Sequence, residues 1–274
     1  MGLFSMFGKK DDGNGVNNAS NVQSTTSRNA PDMSGVTLSS LSLVKDVPNT
    51  QQGIVLKKSF INLDKSIISL EKKSNFSLGN HKARVFVAMD YSGSMNRHYK
   101  DGTVQTVLTT IMPLALQFDD NGELDVWLFD SGYRRIEGMT LNNFDNFVQK
   151  EILEKGWHMG CTSYAPVIED MIKEHGNASM PTYVLFITDG SNDDKRATDE
   201  AIRKAAEQNV FIQFVGVGND SFDYLKKLDD LTGRPVDNTG FVKMSDVRNI
   251  ANDTQLFEML LDQYPDWLRA KGLN

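Results

Sequence analysis

Three short segments of this 274-residue chain concentrate oxygen donors: Asp90-Tyr91-Ser92-Gly93-Ser94, Gly160-Cys161-Thr162-Ser163 and Thr188-Asp189-Gly190-Ser191. Together they offer two carboxylates and several hydroxyls, with no His or Cys required. Such hard donors suit Mg2+, Mn2+ or Ca2+ rather than zinc. In Asp90-x-Ser92-x-Ser94, alternate residues of an extended turn project to one side, so three oxygens can face one point. Two carboxylates about 6 Å apart repel by roughly 3 kcal/mol at an effective dielectric of 20, and a cation between them reverses the sign. With few direct protein anions, a bound Mg2+ keeps exchangeable positions open to an acidic group from outside.

Taken singly, each segment has a plainer reading. Ser94 could cap the helix that follows it, Thr162 or Ser163 could cap the next one, and Asp189-Gly190 could be an ordinary turn. Placement favours a shared site. Residues 83–89 and 183–187 are short apolar runs suited to buried strands, and the first and third donor segments directly follow them.

The rest of the pattern supplies the frame. Strands are predicted over 124–129, 133–139 (at an edge), 210–217 and 240–244. Helices are predicted from Val104 to Phe118 with a kink at Pro113, and over 142–154, 164–174, 195–208, 222–231 and 254–270. Strands alternating with helices predict a doubly wound, mostly parallel α/β sheet with helices on both faces. Ligands on such sheets bind at the carboxyl ends of the strands. Residues 1–35 are poor in large apolar side chains beyond the first few and read as a disordered tail. Residues 36–80 carry short apolar patches, read as an N-terminal extension docking on the main domain of 81–274, with strands favoured over a long helix.

Bulk properties exclude several classes. The net charge of -7 and the lack of any Lys/Arg block argue against nucleic acid. The single cysteine, Cys161, allows no intrachain disulfide. No apolar run approaches the roughly 20 residues that span a bilayer, so no stable membrane insertion is expected. The opening Met1-Gly2-Leu3-Phe4-Ser5-Met6 fails as a secretory signal, and Met6 stands where a myristoylation motif wants Ser or Thr. A cytoplasmic location is expected. Gly216-Val217-Gly218 lacks the third glycine of a dinucleotide loop. Asp193-Asp194 reads as a solvated acidic turn, and Trp157 as the tryptophan bordering a ligand surface.

Asp90-x-Ser92-x-Ser94, then Thr162, then Asp189 within Thr188-Asp189-Gly190, resemble in order and context the metal-ion-dependent adhesion site (MIDAS) of von Willebrand factor A (vWA) domains. The resemblance runs from about Lys82 to the C-terminus. It implies a vWA or Rossmann-like sheet and a metal site made of Asp90, Ser92, Ser94, Thr162 and Asp189. In that family the hydroxyls ligate the ion directly or through water, the aspartates act largely through waters, and an acidic group of a partner completes the sphere. His81-Lys82-Ala83-Arg84-Val85 leading into Asp90-Tyr91-Ser92-Gly93-Ser94-Met95 is similar to the bacterial tellurium-resistance (Ter) branch, a stress-response group related to copine A domains. Cys161 departs from the pattern, standing where many A domains have a second glycine.

The expected function is therefore a non-enzymatic, metal-dependent protein-interaction module in a tellurite or stress-resistance system, with Mg2+ the expected ion and Mn2+ or Ca2+ its alternatives. Two other readings remain: a Mg-dependent phosphoryl hydrolase, and a scaffold for an AAA+ ATPase.

Overall fold

The computed structural model describes residues 45–244 and 255–273. The expected disordered tail and the apolar patches at 36–38 and 41–44 lie outside the described residues. In chain order the elements are α1 (Gln51–Ser74), β1 (Arg84–Asp90), α2 (Asn96–Lys100), α3 (Thr103–Phe118), β2 (Asp125–Phe129) and β3 (Tyr133–Arg135). They continue with α4 (Ala165–His175), β4 (Thr182–Thr188), α5 (Lys195–Glu207), β5 (Val210–Val217), α6 (Asp223–Asp229), β6 (Thr239–Met244), α7 (Leu256–Leu261) and α8 (Tyr264–Lys271).

The strands form one sheet in the order β3-β2-β1-β4-β5-β6, parallel except for β3. Alternation along each strand divides its side chains between two cores. Val85, Val87 and Met89 of β1, Leu185 and Ile187 of β4 and Val215 of β5 pack in the first, with α1, α3, α7 and α8. Phe86 and Ala88, Val184 and Phe186, and Ile212 and Phe214 pack in the second, with α4, α5 and α6. Every residue of β4 and β5 is buried, as a strand covered on both faces requires. The expected doubly wound α/β sheet is thus observed. From β1 the chain winds to one edge through β2 and β3, then returns to β4 on the other side. β1 and β4 therefore flank the switch point of the sheet, at whose carboxyl end ligands bind in such folds.

Three expected elements differ. The stretch predicted to favour strands is a 24-residue helix, α1. Leu56, Phe60, Leu63, Ile67 and Leu70 recur every three or four residues and are all buried. Lys57, Lys58 and Ser59 interrupt that series and make its members look like separate short runs. Thr50 caps the helix by accepting from Gly53 N at 3.0 Å, and Asn75 ends it in the left-handed region with φ 54°.

The helix predicted over 142–154 is instead a 3-10 turn (Phe144–Asn146), a π segment (Val148–Ile152) and another 3-10 turn (Leu153–Lys155). Buried Gln105 competes for its backbone, donating to Phe144 O at 2.7 Å and accepting from Val148 N at 2.9 Å. The closing helix is two, because Pro265 has no N–H to continue α7 and sits instead in the first turn of α8. By contrast, α3 runs from Thr103 past Pro113 to Phe118 without a break.

Candidate metal centre

Asp90 is the last residue of β1 and is fully buried. Its Oδ1 accepts from Ser92 N at 2.8 Å, which fixes the turn that follows the strand. Its Oδ2 accepts from the Thr188 hydroxyl at 2.6 Å. The sheet register explains this contact: Met89 lies opposite Ile187, so Asp90 and Thr188 end β1 and β4 side by side. Thr188 Oγ1 in turn lies 3.0 Å from Tyr164 Oη. Burial pushes the Asp90 carboxyl up to about 6, assisted by the neighbouring Asp189 charge and opposed by the Thr188 and Ser92 hydrogen bonds.

The remaining candidate donors lie on segments beside that strand end. Ser92 Oγ and Ser94 Oγ lie 3.0 Å apart, with Ser92 buried and Ser94 at the exposed mouth. Ser92 bridges to Gly160, and Gly93 N donates to Gly160 O at 3.2 Å, laying the second donor segment beside the first. Gly160 keeps that crossing close, since a Cβ would sit 3.1 Å from Ser131 Oγ and 3.2 Å from Asp130 Cβ, tighter than ordinary contact. Thr162, two residues on, is buried. Asp189 follows β4 directly, and its Oδ1 is buried without a hydrogen-bond partner.

The plainer roles of the hydroxyls are not the ones observed. Neither the 3-10 turn at Gly93–Met95 nor α2 has a side-chain cap, and α4 starts after Tyr164 with no cap from Thr162 or Ser163. The cap of α4 comes from thirty residues away. Asp194 accepts from Tyr164 N and Ala165 N, each at 2.9 Å, and from the Thr198 hydroxyl at 2.8 Å. Asp193 Oδ2 accepts from Thr162 N at 2.9 Å, while Asp193 N donates to Thr162 O at 2.7 Å. The expected solvated acidic turn is therefore a structural joint, and only the position of Asp194 just before a helix could have hinted at capping.

The loop after β4 is held from above. Gly190 (φ 104°) and Gly216 both face the Phe222 ring, which a Cβ would meet at 3.0 Å and 2.7 Å respectively. Phe222 itself has φ 55°, an unusual conformation for a bulky residue.

An aromatic rim lies next to the donor cluster. The Arg134 guanidinium stands 4.9 Å from the Trp157 ring centroid and 5.9 Å from that of Tyr91, and pairs with Asp130 at 3.2 Å. Tyr91 Oη donates to Trp157 O at 3.0 Å. Cys161 is exposed. Among the described residues no three His, Cys, Asp or Glu side chains gather as a metal-binding group. A cation at this strand end would thus draw on two carboxylates, with hydroxyls and water completing its sphere. The residues present fit a hard, hydrated ion: the unpartnered Asp189 Oδ1 is an acceptor with no donor, and the Ser92–Ser94 pair adds two more oxygens.

A Rossmann-like sheet with hydroxyls and carboxylates at its switch point defines the vWA class of domains. Within that class, the chain belongs to the vWA-TerF-like family, the vWA domain found at the TerF C-terminus, whose model matches residues 82–273. The uncharacterized protein YcbR of Bacillus subtilis (strain 168) is 39% identical over 207 residues, covering 74% of this chain and 83% of its own. Copine-C of Dictyostelium discoideum is 24% identical over 219 residues, covering 68% of this chain and 39% of its own. Among solved structures, proximal thread matrix protein 1 of the mussel byssus superposes with a TM-score of 0.51 at 15% identity, over 66% of this chain and 48% of that one. Its form with a zinc-occupied MIDAS motif gives a TM-score of 0.50 at 15% identity, with the same coverage. The chain spans less than half the length of Copine-C and of the byssus protein, and the byssus likeness is one of fold. Domains of this type are generally interaction or adhesion modules. Among the described residues no helix is long and apolar enough to cross a membrane.

Proposed function

We propose that this protein is a metal-dependent interaction module whose centre is formed by Asp90, Ser92, Ser94, Thr162 and Asp189, with Mg2+ as its ion. The bound ion grips a carboxylate of a partner protein, in the cytoplasm and within a tellurite or stress-resistance system of the kind the TerF relationship points to. One observation carries the reading. Asp189 Oδ1 is a buried carboxylate oxygen with no donor, close enough to Asp90 for its charge to oppose ionisation of the buried Asp90 carboxyl. Such a pair is destabilising unless a cation joins it. The half-buried Arg134 and Trp157 beside the cluster support a protein partner, since arginine and tryptophan are among the residue types that dominate binding energy at interfaces. No step of catalysis is needed to account for these features.

Thermal unfolding in EDTA and in excess Mg2+ tests the proposal. At a hundred times its dissociation constant an ion stabilises by about 2.7 kcal/mol, which for a domain of this size raises Tm by roughly 5–11 °C. Asp90→Ala should remove the shift, and Mg2+-dependent partner capture with it. An identical Tm in EDTA and in Mg2+, Mn2+ and Ca2+ would refute the metal centre.

A further inference from the structure

Asp193 is exposed, lies four residues beyond Asp189, the metal-centre donor of the loop after β4, and at first sight belongs to solvent. Its bonding shows otherwise. Main chain and side chain together clasp one residue, Thr162, through a reciprocal pair of hydrogen bonds at 2.7 Å and 2.9 Å. Thr162 is the one hydroxyl donor of the centre that is not on the β1 turn. Its loop is held against three strand ends. On the β1 side Gly93 N holds it through Gly160 O, and on the β2 side Asp130 O accepts from Ser163 N at 2.8 Å. On the β4 side the holding group is Asp193.

We infer that Asp193 is a positioning residue that delivers the Thr162 hydroxyl to the metal ion, rather than a ligand or a fold-stabilising acid. Three observations separate this role from plain structure. The neighbouring Asp194 already caps α4 through Tyr164 N and Ala165 N, so the helix does not depend on Asp193. Asp193 is exposed, where loss of a side chain ordinarily leaves global stability almost unchanged. Its carboxylate Oδ2 is engaged by Thr162 N rather than by another side chain, so what it fixes is the backbone that carries the ligand. Partners that orient ligands in this way typically set metal affinity by a factor of 10 to 100.

The inference rests on the metal centre proposed above, and a double-mutant cycle separates the two. The full chain is titrated with Mg2+ alone, reading affinity from heat of binding and the metal-free Tm in EDTA. The variants are Asp193→Ala, Asp193→Asn, Thr162→Val and the double Asp193→Ala/Thr162→Val. Asp193→Ala should bind Mg2+ about tenfold more weakly with an EDTA Tm close to wild type. Asp193→Asn, which keeps an acceptor but loses the charge, should recover most of that affinity. In the Thr162→Val background, Asp193→Ala should have no further effect. Equal loss in Asn and Ala variants would mean that Asp193 acts only through its charge, and equal loss with or without the Thr162 hydroxyl would mean that it acts elsewhere; either overturns the role. Unchanged affinity in Asp193→Ala overturns it too. If wild-type protein gives no Mg2+ heat at all, the metal centre itself falls, and this inference with it.

Discussion

Replacing Asp194 with alanine removes the acceptor for two backbone N–H groups at the start of α4 and for the Thr198 hydroxyl in α5. A lost helix cap costs about 1–2 kcal/mol, which at this chain size lowers Tm by roughly 2–8 °C. The fall should be the same in EDTA and in Mg2+, because the cap serves the helix and not the ion. A deficit present in Mg2+ alone would tie Asp194 to the centre instead. The adjacent acids therefore divide the work at this junction: one fixes a helix and the other a loop. Residue type, local spacing and the family resemblance were enough to single out Asp90, Ser92, Ser94, Thr162 and Asp189 as candidate donors, because each sits in a short segment with its own local pattern. They were not enough for Asp193 and Asp194, whose partners lie about thirty positions away and leave no mark on the neighbouring sequence.

At the scale of elements, the lead-in to β1 is fastened to the last helix by a half-buried histidine. His81 Nε2 lies 3.0 Å from Tyr264 Oη, and its ring meets Phe76, Phe118 and Tyr264 edge-on. Burial among those rings lowers its pKa to about 4, from an ordinary value of 6.5. The unfolded chain thus binds a proton at His81 between these values while the folded chain does not. The histidine's contribution to stability is complete above pH 6.5 and is lost as the pH falls towards 4. Carboxyls raised to about 6 by burial, Asp125 and Asp229 among them, have the opposite dependence, so the effect is read as a difference. Denaturant titrations of wild type and His81→Phe at pH 7 and pH 4.5 should show a smaller loss on acidification in the variant; parallel losses would remove His81 from the account.

The strands were legible because buried parallel strands are continuous apolar runs, and β5 falls on the expected 210–217. The helices were less so. The α1 pattern is visible only when read across its polar interruptions, and the π segment at 148–152 depends on the Gln105 side chain reaching over from α3. No local pattern encodes a contact across forty-three positions.

For the molecule as a whole, α1 decides where the folding unit begins. The family match starts at residue 82, yet Leu56, Phe60, Leu63 and Ile67 of α1 share a core with α3, α7 and the sheet. Removing a buried phenylalanine costs about 3–5 kcal/mol through lost burial and the cavity left behind. Phe60→Ala should therefore shift one cooperative denaturation transition, followed alike by far-ultraviolet circular dichroism and tryptophan fluorescence. Two separated transitions, with only the first moved, would make α1 an independent attachment.

The Phe222 ring that covers both Gly190 and Gly216 also bears on how this protein can diverge over time. Any side chain at either glycine collides with the ring, and Gly190 in addition needs a backbone angle that side chains disfavour. Glycine at 222 would relieve the left-handed strain there but open a void over the loop that carries Asp189. Each single step away from the present trio is thus uphill, and only joint replacement of ring and glycine at 216 keeps the space filled. A saturation library built one position at a time would report all three sites as immutable, whereas a combinatorial one should recover paired solutions.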